Sequence, residues 1–214
     1  MLNKKIIPAV LATAMASGMV AAPATADTSA NIGYASEYYF RGLLQNDSSA
    51  SAGLDFETSG FYIGTWAADV GDGLEVDFYA GYGIEVEDFS FSVGGTGYYY
   101  TGDFDDTYEE LNLSAGYDFL SIDYAIGQWD GFGDEQDYDI LTVTAEYEGF
   151  FVTWGSWGVA EDELAEGDYF EAGYGTEIGG FDVGVYAVYT DEDLTGGDEW
   201  DEALIFTLGK SFDL

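Results

Sequence analysis

Residues 74–87 read LEVDFYAGYGIEVE, and every second residue falls into one of two sets. Leu74, Val76, Phe78, Ala80, Tyr82, Ile84 and Val86 form an apolar set; Glu75, Asp77, Tyr79, Gly81, Gly83, Glu85 and Glu87 form an acidic one. Successive side chains of a strand point to opposite faces, so the stretch reads as one strand with an apolar and an acidic side. On a helix the same carboxylates would scatter round the whole surface. An ordinary soluble strand runs about 5–6 residues, whereas a tilted strand needs roughly 9–11 to cross a bilayer. This one is long enough to cross, with lipid against one face and water against the other.

Twelve such segments can be laid along the chain, at roughly 29–41, 48–57, 60–69, 74–87, 88–100, 107–118, 119–129, 137–147, 149–159, 167–178, 180–190 and 201–212. Alternation is clear at Leu111, Leu113, Ala115, Tyr117 and Phe119, and again at Phe181, Val183, Val185, Ala187 and Tyr189. Segments 60–69 and 149–159 carry aromatics on both faces. The connections alternate as well. Thr58-Ser59, Glu87-Asp88, Asp118-Phe119, Glu148 and Gly179 are tight turns, while 42–47, 101–106, 130–136, 161–166 and 191–200 are longer and nearly all acidic, with a short GDG at 71–73. Tight turns at one end and longer loops at the other, with an even strand count, mark an all-β antiparallel transmembrane barrel with short periplasmic turns and acidic extracellular loops. A secreted soluble β-sandwich also has many alternating strands, but it has no reason to sort its loops this way. Tyr98, Tyr99, Tyr100, Trp66, Trp129, Trp157 and Trp200 fall near segment ends, where an aromatic girdle would sit at the lipid headgroups.

Residues 1–26 read as a secretory leader: Lys4 and Lys5, an apolar run from Ile6 to about Ala22, then Ala24-Thr25-Ala26 at the cleavage site. The barrel domain then covers 27–214. With the leader gone, 42 acidic residues face Arg41 and Lys210 alone. That balance excludes a nucleic-acid-binding role, which needs a basic footprint. At 18% the aromatic content argues against acidic disorder. Without cysteine or histidine there is neither disulfide chemistry nor a Ser-His-Asp triad. Acid pairs suited to glycoside hydrolysis are inevitable among so many carboxylates, so the chain reads as no enzyme. No cofactor and no metal ligand set is expected. The loops 103–106 and 130–134 offer oxygen ligands but lack EF-hand spacing, and are expected to be solvated.

At Gly33 to Gln45 the chain reads GYASEYYFRGLLQ, at Gly60 onward GFYIGTWAADV, and then LEVDFYAGYG. These stretches resemble the TorF family of proteobacterial outer-membrane porins. The resemblance runs from Tyr39-Phe40-Arg41-Gly42 to Gly209-Lys210-Ser211-Phe212. It implies a monomer-sized outer-membrane barrel with a pore, and brings no catalytic residues. The chain departs from the outer-membrane habit by ending in Asp213-Leu214 rather than in an aromatic that the assembly machinery reads.

If the apolar faces meet lipid, Glu37, Asp55, Glu75, Asp77, Glu85, Glu110, Asp123, Glu146, Glu171 and Asp182 point inward by phase, together with Arg41. Rings of carboxylates favour cations in pores, and low-dielectric walls focus their field. Arg41 is expected to be tied to an acid in a structural ion pair rather than to contact substrate. Eight-stranded barrels are filled by side chains and sixteen-stranded ones leave a channel, so twelve strands imply a narrow or partly plugged pore. The expected function is passive diffusion of small solutes or cations across a bacterial outer membrane, among lipid and lipopolysaccharide. The alternatives are a non-conducting surface barrel whose acidic loops serve adhesion or divalent bridging, and the secreted sandwich.

Overall fold

A computed structural model describes residues 27–131, 133–162, 164–197 and 199–214, the side chains of Glu161 and Asp162 excepted. The leader expected over 1–26 lies outside them. The elements in chain order are β1 (Asp27–Ala35), β2 (Tyr38–Phe40), β3 (Leu43–Asn46), β4 (Ser49–Thr58), β5 (Phe61–Asp69), β6 (Leu74–Val86) and β7 (Phe89–Tyr100). There follow β8 (Tyr108–Tyr117), β9 (Leu120–Trp129), β10 (Gln136–Tyr147), β11 (Phe150–Asp162), β12 (Gly167–Ile178), β13 (Phe181–Thr190), the short helix α1 (Glu192–Thr195) and β14 (Asp201–Asp213).

β1 and β4 to β14 pair antiparallel with their sequence neighbours, and β1 also pairs with β14, so twelve strands close on themselves. Closure satisfies every strand edge, which is what a sheet in hydrocarbon requires. The alternation that marks β6 in sequence decides its two environments: Phe78 is 55% exposed, while Asp77 beside it is 1% exposed. Ile32, Leu54, Ile63, Phe91, Leu113, Ile122, Val152, Leu204 and Phe206 continue the apolar exterior on the other strands. This is the architecture of an outer-membrane barrel. Among the described residues no helix is long and apolar enough to cross a membrane.

Tight turns join the strands at one end. Ser59-Gly60, Glu148-Gly149 and Gly179-Gly180 each have positive φ at both residues, the type I′ conformation whose twist matches that of the flanking strands. Among the acids on the outward phase, Asp139 is fully buried. A register shift between β10 and β11 at this point lets the Ala160 N–H donate to it at 2.9 Å, while the Tyr124 hydroxyl donates at 2.6 Å.

The structure departs from the sequence reading in two places. The first segment, read as one strand to residue 41, ends at Ala35; Tyr38 to Asn46 form a separate two-stranded hairpin outside the barrel sheet. The proposed aromatic girdle is also divided. Tyr99 and Trp200 are exposed, but Tyr98 and Trp157 are buried, and Trp66, Tyr100 and Trp129 are half-buried. Register puts Tyr98 opposite Asp77 and Trp66 opposite the same residue, on the inward phase. Closeness to a segment end says nothing of phase, and phase decides the side.

Candidate functional site

The β2–β3 hairpin lies inside the barrel and crosses its interior. Its turn is Arg41-Gly42, with φ of 50° and 85°, again the type I′ geometry. A left-handed arginine is costly, and the wall around it supplies the compensation. The Trp157 Nε1–H donates to the Arg41 carbonyl at 2.9 Å and the Thr190 hydroxyl to the Gly42 carbonyl at 2.5 Å. A Cβ on Gly42 would stand 2.5 Å from Cβ of Tyr169, so the tip touches β12 as backbone. The Arg41 guanidinium donates Nη1–H and Nη2–H to the two oxygens of Glu110, at 2.5 and 3.1 Å.

Glu110 is the hub of this cluster. Besides Arg41 it accepts from the hydroxyls of Tyr98 (3.1 Å) and Tyr138 (2.9 Å) and from Nδ2 of Asn112 (2.8 Å). Burial works against the charge of Arg41, yet Glu110 beside it holds the guanidinium well above its ordinary pKa, so it stays a cation. On the same hairpin, the Tyr38 hydroxyl donates to Glu75 at 2.6 Å, and that of Tyr39 to Asp201 at 2.8 Å. Burial, followed by the facing carboxylate, pushes both phenols up, so both remain donors.

The hairpin's apolar side chains are divided among three patches of the wall. Leu43 packs with Tyr138, Ile140, Trp157, Tyr169 and Leu194 of α1. Tyr39 packs with Tyr186, Val188 and Ile205. Tyr38 packs with Ala68 and Val70, with Phe40 and Trp66 alongside. A cavity of about 20 Å³, lined by Tyr38, Ser49, Ser51, Trp66 and Thr207, lies beside Tyr38. That is room for about one water molecule. The hairpin is therefore fastened to β6, β8, β11, β13 and β14 and narrows the interior. Toward the tight-turn end the inward phase turns small and polar, with Gly53, Ser90, Ser92, Ser114, Gly116 and Ser121.

The acids expected inside fall into three groups. Glu75, Asp77, Glu110, Asp123 and Glu171 are buried within the barrel. Asp55 is half-buried, accepting from Asn31 at 3.3 Å and from the hydroxyl of Tyr79. Glu85, Glu146 and Asp182 lie toward the tight-turn end, Glu85 exposed and the others half-buried; Glu37 is half-buried in the link before the hairpin. Arg41 reaches the cluster from the hairpin tip and not from a barrel strand. The sequence reading missed Tyr38, Tyr98, Tyr138, Trp157 and Thr190. For Tyr98 a signal existed, since it shares the inward phase with Thr96 and Tyr100. Nothing local marks Thr190 as the partner of a carbonyl 148 positions away.

A family model described as "Bacterial protein of unknown function (Gcw_chp)" matches residues 20–212. No curated protein matches the chain. Among solved structures, the chain is similar to OpdK of Pseudomonas aeruginosa, determined with vanillate, at 14% identity and a TM-score of 0.42, with 79% of this chain and 58% of that one covered. It is similar also to a BenF-like porin from Pseudomonas fluorescens Pf-5, at 12% identity and a TM-score of 0.41, with 88% and 59% covered. The chain thus spans under two thirds of the length of these structures.

Proposed function

The chain belongs to the Gcw_chp family of bacterial proteins, and we propose from its barrel that it is a porin-like channel of the outer membrane, passing small solutes with a preference for cations. One observation carries the reading: a closed barrel with an apolar exterior encloses an interior lined by carboxylates and crossed by its own first loop. Inside, Glu110 neutralises Arg41, whereas Asp77, Asp123 and Glu171 have no cationic partner among the described residues. Low-dielectric walls focus the field of such groups and favour cations over anions. The TorF resemblance, the lipopolysaccharide surroundings and assembly by the outer-membrane machinery belong to the same proposal, which includes no catalytic step.

Single-channel recording of the refolded mature chain under a KCl gradient tests it. Stable steps with a cation-selective reversal potential are expected, and that selectivity should fall in the Asp77→Asn, Asp123→Asn double variant. The many anchors of the hairpin favour one rival, a barrel held shut that acts through its acidic loops. A correctly folded barrel giving no steps would establish that rival instead.

A further inference from the structure

Two cationic side chains occur among the described residues, Arg41 and Lys210. Arg41 lies inside the barrel and is paired with Glu110. Lys210 lies on the other side of the wall. In β14 the inward phase is Ile205, Thr207 and Gly209, all buried, and the outward phase is Leu204, Phe206, Leu208, Lys210 and Phe212. Lys210 therefore rises from the face that meets lipid.

Its surroundings there are apolar. Register sets Ile32 of β1 beside it, and the β13 pairing that ends at Asp182 and Gly209 leaves Phe181 at its other flank. The ammonium lies over the rings of Phe181 and Phe212, at 4.7 and 5.5 Å from their centroids. Ile32, Phe181, Leu208 and Phe212 are all exposed. The nearby acids are turned the other way: Asp182 and Asp213 fall on the inward phase of their strands, and among the described residues no carboxylate pairs with Lys210.

A charge on the hydrocarbon side of a membrane is costly unless its head reaches the interface or finds a counter-ion. The two carboxylate oxygens of Asp77 also lack a hydrogen-bond partner, but they lie within a polar lumen, whereas Lys210 stands on an apolar exterior. The aromatic rings attract the ammonium without neutralising it. Position decides which anion can reach it. Lys210 stands at the tight-turn end, beside the Gly179-Gly180 turn, and the short turns of such barrels face the periplasm. The anions at that height on the lipid side are the headgroup phosphates of glycerophospholipids. The phosphate of phosphatidylethanolamine is balanced by that lipid's own ammonium, whereas that of phosphatidylglycerol is not. Other turns at this end carry Glu87, Asp88, Asp118 and Glu148, which repel an anionic lipid and leave Lys210 as the place to accept one.

We infer that Lys210, with the Phe181 and Phe212 rings, is a binding site for one anionic glycerophospholipid of the periplasmic leaflet. The ammonium donates to the headgroup phosphate, and the acyl chains lie along the exposed Ile32, Leu208 and Phe206 toward the middle of the bilayer. The site depends on the barrel's place in the membrane and not on whether the barrel conducts.

Native mass spectrometry of the refolded mature barrel, released from detergent micelles containing phosphatidylglycerol or phosphatidylethanolamine, tests the site. One retained phosphatidylglycerol per barrel is expected, at concentrations where phosphatidylethanolamine is not retained. Lys210→Gln should weaken that retention by about fivefold, the attraction that a single lysine near an anionic surface supplies, and Lys210→Arg should keep it. Heat-modifiable gel migration verifies that each variant is folded. Should Lys210→Gln not fold, Phe181→Leu, which removes one ring and keeps the charge, is read in its place and should weaken retention as well. Retention unchanged in the variant read overturns the site, as does equal retention of the two lipids or of neither. A preference for the lipid A part of lipopolysaccharide over phosphatidylglycerol would overturn the assignment to the periplasmic leaflet.

Discussion

Glu110 is a buried carboxylate with one guanidinium and three neutral donors converging on it, from β7, β8, β10 and the hairpin. Removing one partner of a buried ion pair leaves the other charge uncompensated, at a cost of about 3–5 kcal/mol, whereas replacing both by groups of similar volume is often neutral. Arg41→Met should therefore lower the stability of the folded barrel by about that amount. Adding Glu110→Gln should recover much of the loss, because a neutral amide keeps the shape without the orphaned charge. Urea unfolding of the three proteins in lipid vesicles checks this. A double variant as unstable as the single one would show that the fork geometry, rather than charge balance, holds the tip. The sequence made an ion pair at Arg41 legible, since a lone arginine among so many acids has little else to do. It could not name the partner, 69 positions away on another strand.

At the scale of the element, the β2–β3 hairpin separates a narrow interior from a wide one. Its strands are only Tyr38–Phe40 and Leu43–Asn46, too short to stand alone, since an isolated two-stranded hairpin is marginal in water. Its order comes from the three apolar patches and five strands that hold it. Replacing residues 38–46 by a short Gly-Ser link should leave the closed barrel intact, because β1 and β4 pair directly along their length without help from the hairpin. Conductance should rise, as the lumen loses its main obstruction. An unchanged single-channel step would mean that the constriction lies elsewhere. The hairpin was hidden in sequence because Tyr38, Tyr39 and Phe40 continue the strand-like texture of β1. Only Arg41-Gly42, which turns tightly here, distinguishes it, and that pair resembles the tight turns at the other end of the barrel.

At the scale of the whole molecule, closure is the property that organises the rest. Each barrel strand is paired on both sides, so no edge can peel away without opening the ring. Heating in SDS should therefore convert a compact, fast-migrating band to the slower one of the unfolded chain, with little between. A single band position at all temperatures would favour the secreted sandwich. The charge of the molecule is distributed by the same closure. Carboxylates crowd the lumen and the loops, and the outward phase bears Lys210, its Nζ 4.7 Å from the Phe181 ring centroid and 5.5 Å from that of Phe212, toward the tight-turn end. A lysine stem can lie along such rings with its ammonium at the lipid headgroups.

The sequence by itself determined the strands, their apolar and acidic faces, their tight turns and their number, because strand alternation and turn conformation are written into neighbouring residues. The inward phase of Glu75, Asp77, Glu110, Asp123 and Glu171 followed from the same local rule. Only the tertiary structure decided that residues 38–46 leave the wall for the lumen, that Glu110 takes Arg41, and that the oxygens of Asp77 are left without a partner. Those outcomes depend on which side chains meet across an enclosed space. Ring closure brings together residues far apart in the chain, and no periodicity within a single strand records that meeting.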